Sequence, residues 1–354
     1  MASLVWLPAL SLSPPASSSH LADRRAASLL HHAATRTLPP PPAAAASLRS
    51  GALRHRRPYL RRILPRIAAG NLGEGEKREP MVPPYNVLIT GSSKGIGYAL
   101  AREFLKAGDK VILCSRSGER VESAVKELRE EFGEQHVWGT VCDVREAKDV
   151  RSLVAFAQDK LKSVDIWINN AGSNAYSHKP LAETSDEDLM EVVTTNTLGL
   201  MICCREAINM MLNQSRGGHI FNMDGAGSDG RPTPRFAAYG ATKRSVVHLT
   251  KSLQAELQMH EVKNVMVHNL SPGMVTTDLL MSGANTKQAK FFINILAETP
   301  EVVAEYLVRC IRVVPNKGTM KPTYIRFLTG LKAYSQIFSR FAFGTRRNRY
   351  VIED

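Results

Sequence analysis

A glycine-rich turn joins a strand-like apolar run to the start of a helical pattern near residue 90. The apolar run covers residues 85–89, and the turn, residues 90–97, reads TGSSKGIG. Glycines at such a turn let the backbone approach a phosphate group held at the helix N-terminus. The spacing is GxxxGxG rather than GxGxxG. The turn therefore predicts a nucleotide-binding α/β fold, and a purely structural glycine turn is the alternative.

Strand-like runs alternate with helical patterns through the region that follows. Continuous apolar strands indicate a sheet buried on both faces, and the alternation indicates parallel strands. We therefore predict an α/β fold with a single Rossmann-like, doubly wound parallel sheet. The predicted strands are residues 85–90, 110–115, 136–143, 165–169, 219–223 and 265–271, and the predicted helices are 95–107, 118–132, 146–162, 186–212 and 236–259.

Tyr239 and Lys243 lie four positions apart within the last of these predicted helices. Residues at this spacing share one helix face. An ammonium group near a phenol lowers the phenol's pKa from its usual value of about 10 and makes it a usable proton donor. The pair therefore predicts acid catalysis, and an ordinary exposed helix is the alternative.

Two further motifs follow predicted strands, NNAG at residues 169–172 and PGMVT at residues 272–276. In this order, the four motifs resemble the short-chain dehydrogenase/reductase family over about residues 84–315. The resemblance implies an NAD(P)H-dependent oxidoreductase in which Tyr239 protonates a carbonyl oxygen as hydride arrives. It also implies that Lys243 lowers the pKa of Tyr239 and holds the nicotinamide ribose. Asn196 matches the helix asparagine that maintains a proton relay through water.

The sequence departs from the family at one catalytic position. Asp224 and Gly225 stand where most members have two serines, so the usual serine is missing. Ser228 is the nearest hydroxyl and is the first candidate to replace it. Asp224 as a hydrogen-bond partner, or no replacement at all, are the alternatives. Gly225 leaves room for a bulky substrate or serves a turn.

The charge around the predicted cofactor site favours NADPH, with NADH as the other possibility. Arg116 follows the second strand, where NAD-preferring enzymes usually have an acid, and Lys94 lies inside the glycine turn. Two cations without a carboxylate suit a 2′-phosphate, and a solvated surface arginine is the alternative. By resemblance the cofactor contacts also include Gly91, Ser93, Gly95, Ile96, Gly97, Asp143, Val144, Asn170, Ala171, Gly172, Tyr239, Lys243, Pro272, Gly273 and Thr276.

The first 73 residues have a composition unlike the rest of the chain. They contain ten Arg, fifteen Ala and nine Ser, with no Lys and a single acid, Asp23. This composition predicts a transit peptide, for a chloroplast more than for a mitochondrion, cleaved between about residues 50 and 80; a disordered basic tail is the alternative. Without it, 36 basic and 32 acidic residues remain, a net charge of +4 in place of +13. The basic pI is thus no argument for nucleic acid, and we expect no nucleic-acid partner.

Metal and disulfide sites are not expected. The five cysteines, at positions 114, 142, 203, 204 and 310, show no metal-ligand spacing, and an odd number argues against a disulfide framework.

Within the family, the MDGAGS sequence at residues 223–228 and a basic aromatic tail resemble the plant chlorophyll(ide) b reductases, especially their smaller, non-membrane type. That likeness implies NADPH-dependent reduction of the C7 formyl group of chlorophyll b or chlorophyllide b, the first step of chlorophyll b degradation in senescence. It implies the stromal face of the thylakoid membrane as the location. The implied partners are a membrane-bound paralogous reductase, light-harvesting complexes and a homo- or hetero-oligomer. Another plastid reductase, such as a 3-oxoacyl-carrier-protein reductase, and a non-catalytic cofactor-binding scaffold are the alternatives.

Three features bear on a large substrate or a membrane. Residues 277–298 are apolar at the family's substrate-lid position, with a packed helix pair as the alternative. His178 is a candidate ligand for the chlorin magnesium, although a solvated loop histidine is the simpler interpretation. The tail, residues 316–354, predicts a basic amphipathic helix with Leu331, Tyr334, Phe338 and Phe341 on one face, suited to a membrane or a partner, or else packed on its own domain or on a dimer mate.

Overall fold

The computed structural model describes residues 81–317 and 321–353. The predicted transit peptide lies outside these residues. In the described parts, seven strands form one sheet in the order β3-β2-β1-β4-β5-β6-β7, and every neighbouring pair is parallel. The strands are β1 (Asn86–Thr90), β2 (Lys110–Ser115), β3 (Val137–Val141), β4 (Ile166–Asn169), β5 (Gly218–Met223), β6 (Val265–Ser271) and β7 (Tyr324–Arg326).

Helices cover both faces of the sheet, which confirms the doubly wound α/β prediction. The central strands alternate between two cores: Val87 and Ile89 face one apolar cluster, and Leu88 between them faces the other. Both faces are apolar because both are buried. The helices are α1 (Gly95–Lys106), α2 (Gly118–Phe132), α3 (Ala147–Leu161), α4 (Asp186–Val193), α5 (Leu200–Leu212), α6 (Ala237–Met259), α7 (Asp278–Met281), α8 (Lys287–Leu296), α9 (Pro300–Asn316) and α10 (Gly330–Phe343).

Two details of the fold differ from the sequence-based prediction. The predicted helix 186–212 is interrupted by a π-helical segment at residues Thr194–Gly199, which separates α4 from α5. The sheet also has a seventh strand, β7, that was not predicted. Since β7 has only three residues, its apolar pattern is too short to stand out.

The C-terminal segment from β7 onwards packs on the rest of the fold. Two of its basic residues hold it there, because Arg346 and Arg349 both pair with Glu298. Arg340 pairs with Glu353 within the segment. The segment therefore packs on its own domain, which is one of the alternatives that its sequence left open. The predicted apolar face of α10 is nevertheless exposed, with 84% of Leu331, 65% of Phe338 and 73% of Phe341 accessible. None of the described helices is both long and apolar enough to span a membrane.

Candidate active site

The glycine turn after β1 is shaped by close backbone contacts. Gly91 and Gly95 have φ values of 63° and 59°, in the region that favours glycine. A Cβ atom at Gly91 would lie 2.7 Å from the Cα of Ala171, and one at Gly97 would lie 2.5 Å from the Nδ2 of Asn170. Side chains are therefore excluded at Gly91 and Gly97 on steric grounds, and the N–H groups at the start of α1 stay open to an anion.

Asn170 and Ala171 fix this turn from the end of β4. The side-chain amide of Asn170 donates to the carbonyl oxygens of Thr90 (3.0 Å) and Gly91 (2.8 Å). The Thr90 hydroxyl oxygen accepts from the backbone N–H groups of Asn170 and Ala171 in return, at 3.1 Å each. The side chain of Asn170, predicted to line a ribose, thus ties the two strand ends together.

Three predicted site residues converge at Gly172. A Cβ atom there would lie 3.4 Å from both the Oδ1 of Asn196 and the Nζ of Lys243. Asn196, in the π-helical segment, is buried; it accepts from the Ser173 N–H and donates to the Ser173 carbonyl. Its amide also donates to the Thr242 hydroxyl at 3.0 Å. Asn196 therefore joins the loop after β4 to α6, next to the predicted catalytic lysine. Such π-helical insertions are frequent at functional sites.

Lys243 is only 5% exposed, and its ammonium group donates to the Met223 carbonyl at 3.2 Å. Burial lowers the pKa of Lys243 to about 8, against the opposing effect of Asp224. The Nζ atom lies 5.6 Å from the centroid of the Tyr239 ring. Tyr239 and Lys243 thus share one face of α6, as their spacing predicts.

The pKa of Tyr239 moves in the direction opposite to the sequence-based expectation. Burial of the hydroxyl, and then the nearby carboxylate of Asp224, raise it above the usual value of a phenol. Lys243 makes no direct hydrogen bond to Tyr239 that could offset these effects, because its ammonium group is turned to Met223. Tyr239 is therefore held as the protonated phenol, the form that can donate a proton.

The segment after β5 packs directly on this pair. A Cβ atom at Gly225 would lie 2.5 Å from the Tyr239 hydroxyl and 3.2 Å from the Cγ of Lys243. The suggestion that Gly225 leaves room for a substrate is therefore wrong, since the Tyr239 hydroxyl itself fills that room. Asp224 is buried and receives a hydrogen bond from the Tyr324 hydroxyl. Burial raises the pKa of both Asp224 and Tyr324, and the hydroxyl of Ser228, itself buried, opposes this rise in each.

Both cations predicted to bind a 2′-phosphate lie at the surface and carry acidic partners. Lys94 pairs with Asp278 at 2.6 Å, and Arg116 pairs with Glu191 at 2.9 Å. The side chains of Lys94 and Arg116 are 47% and 51% exposed, so these pairs are weak and exchangeable. Arg145, which was not predicted, also pairs with Glu191 and adds a positive charge beside Arg116.

The remaining predicted cofactor residues divide between surface and core. The carboxylate of Asp143 is engaged by Arg145, and Val144 is buried beside Gly199, where a Cβ atom would lie 2.9 Å from it. Thr276 is fixed by its backbone N–H, which donates to the Glu298 carbonyl at 3.0 Å. Ser93 lies in the glycine turn, Ile96 is the second residue of α1, and Pro272 and Gly273 follow β6.

A cleft opens on the other side of Tyr239, towards α4. Phe236, Leu189 and Val192 contribute apolar groups to it, and its charged lining residues are Lys179, Arg235 and Asp188. No sequence motif pointed to these residues, because they lie in loops, at the start of α6 or on α4, outside the motifs of the family. A second hollow, lined by His178 and Ser282, adjoins the first through Ala175 and Ser177.

His178 lies beside Phe236, with their ring centroids 4.5 Å apart. Burial, together with Arg235, lowers the pKa of His178, so its imidazole is neutral at physiological pH.

The predicted lid is the pair α7 and α8; the end of α8 is buried, as the alternative of packed helices predicts. Asn174 links it to the loop after β4 by donating to the Leu279 carbonyl at 3.0 Å. Within the described residues, no group of three His, Cys, Asp or Glu side chains is placed to hold a metal ion.

A parallel doubly wound sheet, a glycine turn behind its first strand, and a tyrosine and lysine beside a buried asparagine define a short-chain dehydrogenase. The family described as short chain dehydrogenase matches residues 85–288. The chain belongs to this family.

Two curated relatives are similar over most of the chain. The rice protein named chlorophyll(ide) b reductase NOL, chloroplastic, is 82% identical over 278 residues, which are 78% of this chain and 81% of that protein. The Arabidopsis thaliana protein of the same name is 78% identical over 292 residues, covering 82% of this chain and 84% of its own length. A rice protein named probable chlorophyll(ide) b reductase NYC1, chloroplastic, is 47% identical, over 66% of this chain and 49% of its own length.

Solved structures of the family share the fold. A 3-ketoacyl-(acyl-carrier-protein) reductase from Brucella melitensis, complexed with NADH, has a TM-score of 0.59 and 27% identity, covering 70% of this chain and 98% of that one. An actinorhodin polyketide ketoreductase variant with NADPH has a TM-score of 0.60 and 28% identity, covering 71% and 99%. The family and these neighbours establish that the chain uses a nicotinamide cofactor. The side-chain-free cradle at Gly91 and Gly97, before the N-terminus of α1, fits the pyrophosphate of such a dinucleotide.

Proposed function

We propose that this chain reduces the C7 formyl group of chlorophyll b or chlorophyllide b to a hydroxymethyl group, with NADPH as the reductant. The observation that carries the proposal is the convergence of Asn196 and Lys243 at Gly172, beside Tyr239. This arrangement places a proton donor and an ammonium group at one point, which aldehyde reduction requires. The names of the two relatives with about four-fifths identity supply the substrate.

The reaction adds one hydride and one proton to the formyl group. The nicotinamide cofactor supplies the hydride. Tyr239, held as a phenol, donates its hydroxyl proton to the oxygen as that oxygen gains negative charge. Lys243 lies beside the donor as a buried cation that stabilises the phenolate left behind.

Two further residues complete the proposed catalytic set. Asn196 fixes the loop after β4 against α6, so that Gly172 stays open to the cofactor ribose and to the water that returns a proton. Ser228 is the proposed donor to the formyl oxygen in place of the missing family serine. Its burial supports this role, because Asp224 and Tyr324 lie within hydrogen-bond reach of the hydroxyl and hold it in a fixed direction.

NADPH is the proposed cofactor because the surface around the adenosine side carries exchangeable cations. Arg116 and Arg145 both pair with Glu191, and Arg145 also pairs with Asp143, so a 2′-phosphate would compete with these two carboxylates for the two cations. Lys94 adds a further cation at the glycine turn. The other cofactor contacts are proposed as the family predicts them: Gly91, Ser93, Gly95, Ile96, Gly97, Asp143, Val144, Asn170, Ala171, Gly172, Tyr239, Lys243, Pro272, Gly273 and Thr276.

The proposed location is the chloroplast, at the stromal face of the thylakoid membrane. Both similar relatives are named chloroplastic, and the composition of residues 1–73 supports a transit peptide ahead of a domain at 84–315. The exposed face of α10 supports peripheral contact with the membrane. A paralogous membrane-bound reductase, light-harvesting complexes and further copies of this chain are the proposed partners.

The experiment offers the purified chain NADPH with chlorophyllide b, chlorophyll b and acetoacetyl thioesters, and separates the products by chromatography. We expect the 7-hydroxymethyl product from the chlorins and little turnover of the thioesters. Turnover of the thioesters alone would identify a 3-oxoacyl reductase. A chain that binds NADPH without turning over any of these substrates would be a scaffold.

A further inference from the structure

Asp224 is a buried carboxylate that the reaction as described does not use. Only 2% of its surface is accessible, and its backbone N–H donates to the Leu270 carbonyl at 2.8 Å, which holds the end of β5 against β6. The Tyr324 hydroxyl donates to its Oδ2 atom. Tyr324 lies on β7, beyond residues 85–288 that match the family. A buried charge is costly unless it is paired, so this arrangement requires a reason.

The two neighbours of Asp224 carry the proton-donating pair. Met223 on one side accepts the hydrogen bond from the Lys243 ammonium at 3.2 Å. Gly225, on the other side, contacts the Tyr239 hydroxyl: a Cβ atom at Gly225 would lie 2.5 Å from that oxygen. Displacement of Asp224 would therefore move the contacts of both Lys243 and Tyr239.

We propose that Asp224 and Tyr324 form a positioning pair for the reducing site: Tyr324 holds Asp224 as a carboxylate, and Asp224 keeps Lys243 protonated and residues 223–225 in place. This inference rests on the proposed reductase function. It adds a residue from outside the matched region to the site. It also gives Asp224, one of the two residues that stand where most members have serines, a role distinct from that of a serine.

The charged and titratable groups around Asp224 support this assignment. Lys243 and Tyr239 face it from α6, and Tyr324 faces it from β7. The hydroxyl groups of Ser228 and Ser271 are its other polar neighbours.

Each member of the set affects the next. Burial raises the pKa of Asp224. The hydrogen bond from Tyr324 lowers it, and so, to a smaller extent, does the charge of Lys243. Asp224 in turn raises the pKa of Lys243, which burial lowers to about 8. The Arg326 guanidinium lies over the Tyr324 ring, 4.0 Å from its centroid.

The test compares the pH profiles of kcat/KM for the parent, Asp224→Asn and Tyr324→Phe with NADPH and chlorophyllide b. Asp224→Asn keeps an acceptor for Tyr324 but removes the charge, so Lys243 loses its proton more easily. We expect the basic limb of the profile to move down by roughly one pH unit. Tyr324→Phe removes the hydrogen bond to the carboxylate, so the acidic limb should move up. A merely structural role would lower kcat/KM at every pH without moving either limb.

A second readout does not depend on turnover. The Lys243 side chain is followed by NMR in protein labelled with ¹³C at the lysine Cε, and its resonance is assigned with Lys243→Arg. Its titration midpoint should fall in Asp224→Asn and stay in place in two surface controls, Asp159→Asn and Tyr334→Phe. An unchanged midpoint would overturn the inference even where chlorophyllide b is reduced. A shifted midpoint in a chain that does not reduce chlorophyllide b would refute the proposed function and leave the pair intact.

Discussion

The Tyr239 hydroxyl lies 2.5 Å from the position that a Cβ atom would take at Gly225. No side chain fits between the proton donor and the backbone after β5 unless one of them moves. Gly225 therefore lets the backbone after β5 pack directly against the Tyr239 hydroxyl.

The first prediction concerns this contact. Gly225→Ser restores the family's usual residue, but its Cβ atom would push the Tyr239 hydroxyl away from its place. We expect a loss of about 10²-fold in kcat for chlorophyllide b and a similar loss for a small aldehyde, because a shift of about 1 Å in the reacting geometry is enough. Steady-state kinetics with both substrates measures this. Gly118→Ser is the control, since a Cβ atom there would lie 3.5 Å from the Cγ2 of Val141, an ordinary contact. A loss confined to the chlorin would show that Gly225 borders the substrate instead.

The second prediction concerns cofactor choice. Arg116→Asp should raise the KM for NADPH at least tenfold and leave that for NADH nearly unchanged, because the 2′-phosphate would meet a carboxylate. Arg205→Asp is the matched control, an exposed arginine on α5 whose partner is also a glutamate. Equal KM values for NADPH in the parent and in Arg116→Asp would place the phosphate elsewhere.

The third prediction concerns pH and stability. His219 and His268 are buried side by side, with ring nitrogens 3.1 Å apart, and the Thr323 N–H donates to the Nδ1 of His268. Burial, and then His219, lower the pKa of His268 to about 3. Between this value and the usual pKa of about 6.5, the unfolded chain binds a proton that the folded chain does not. The neutral, buried His268 therefore contributes fully to the free energy of unfolding above pH 6.5, and this contribution is lost as the pH falls towards 3.

Denaturant unfolding at pH 7 and pH 5 measures this effect. The free energy of unfolding should fall by about 2 kcal/mol over that interval because of His268 alone. In His268→Asn, which keeps an acceptor for Thr323, the fall should be smaller by that amount. His260→Asn, at an exposed position, should fall as the parent does. Identical pH dependence in all three proteins would mean that His268 is protonated in the folded chain.

The fourth prediction concerns α10. Replacing Phe338 and Phe341 together by serine should weaken binding to lipid vesicles at least tenfold, since each buried phenylalanine contributes about 1.5–3 kcal/mol. Flotation with vesicles of neutral and of anionic lipid measures it. Met259→Ser, at a site that is 80% exposed at the end of α6, is the control. Retained flotation of the double variant would show that the α10 face contacts something other than lipid.

The sheet could be predicted from the sequence because its strands are buried on both faces and appear as continuous apolar runs. The positions of Gly91, Gly172, Asn196, Tyr239 and Lys243 followed from motif spacing, and the structure brings these residues close together. Motif spacing could not show which atoms inside the site contact each other. The orientation of Lys243 towards Met223 depends on side-chain packing and not on its distance from Tyr239 along the chain.

Long-range partners were also beyond sequence reasoning. Tyr324 lies a hundred positions after Asp224, in a three-residue strand, and no local pattern connects the two. The tail is a second case. Its sequence pattern left a membrane, a partner and its own domain open as contacts, and the pairing of Arg346 and Arg349 with Glu298 shows packing on its own domain.

The central claim is that Tyr239 is the proton donor. Tyr239→Phe removes the hydroxyl and keeps the ring, so NADPH binding, followed by the cofactor's fluorescence, should stay within a few-fold of the parent. Turnover of chlorophyllide b with NADPH should fall by about 10²–10⁴-fold, the usual contribution of general acid catalysis. Turnover within threefold of the parent, with NADPH still bound, would contradict the account.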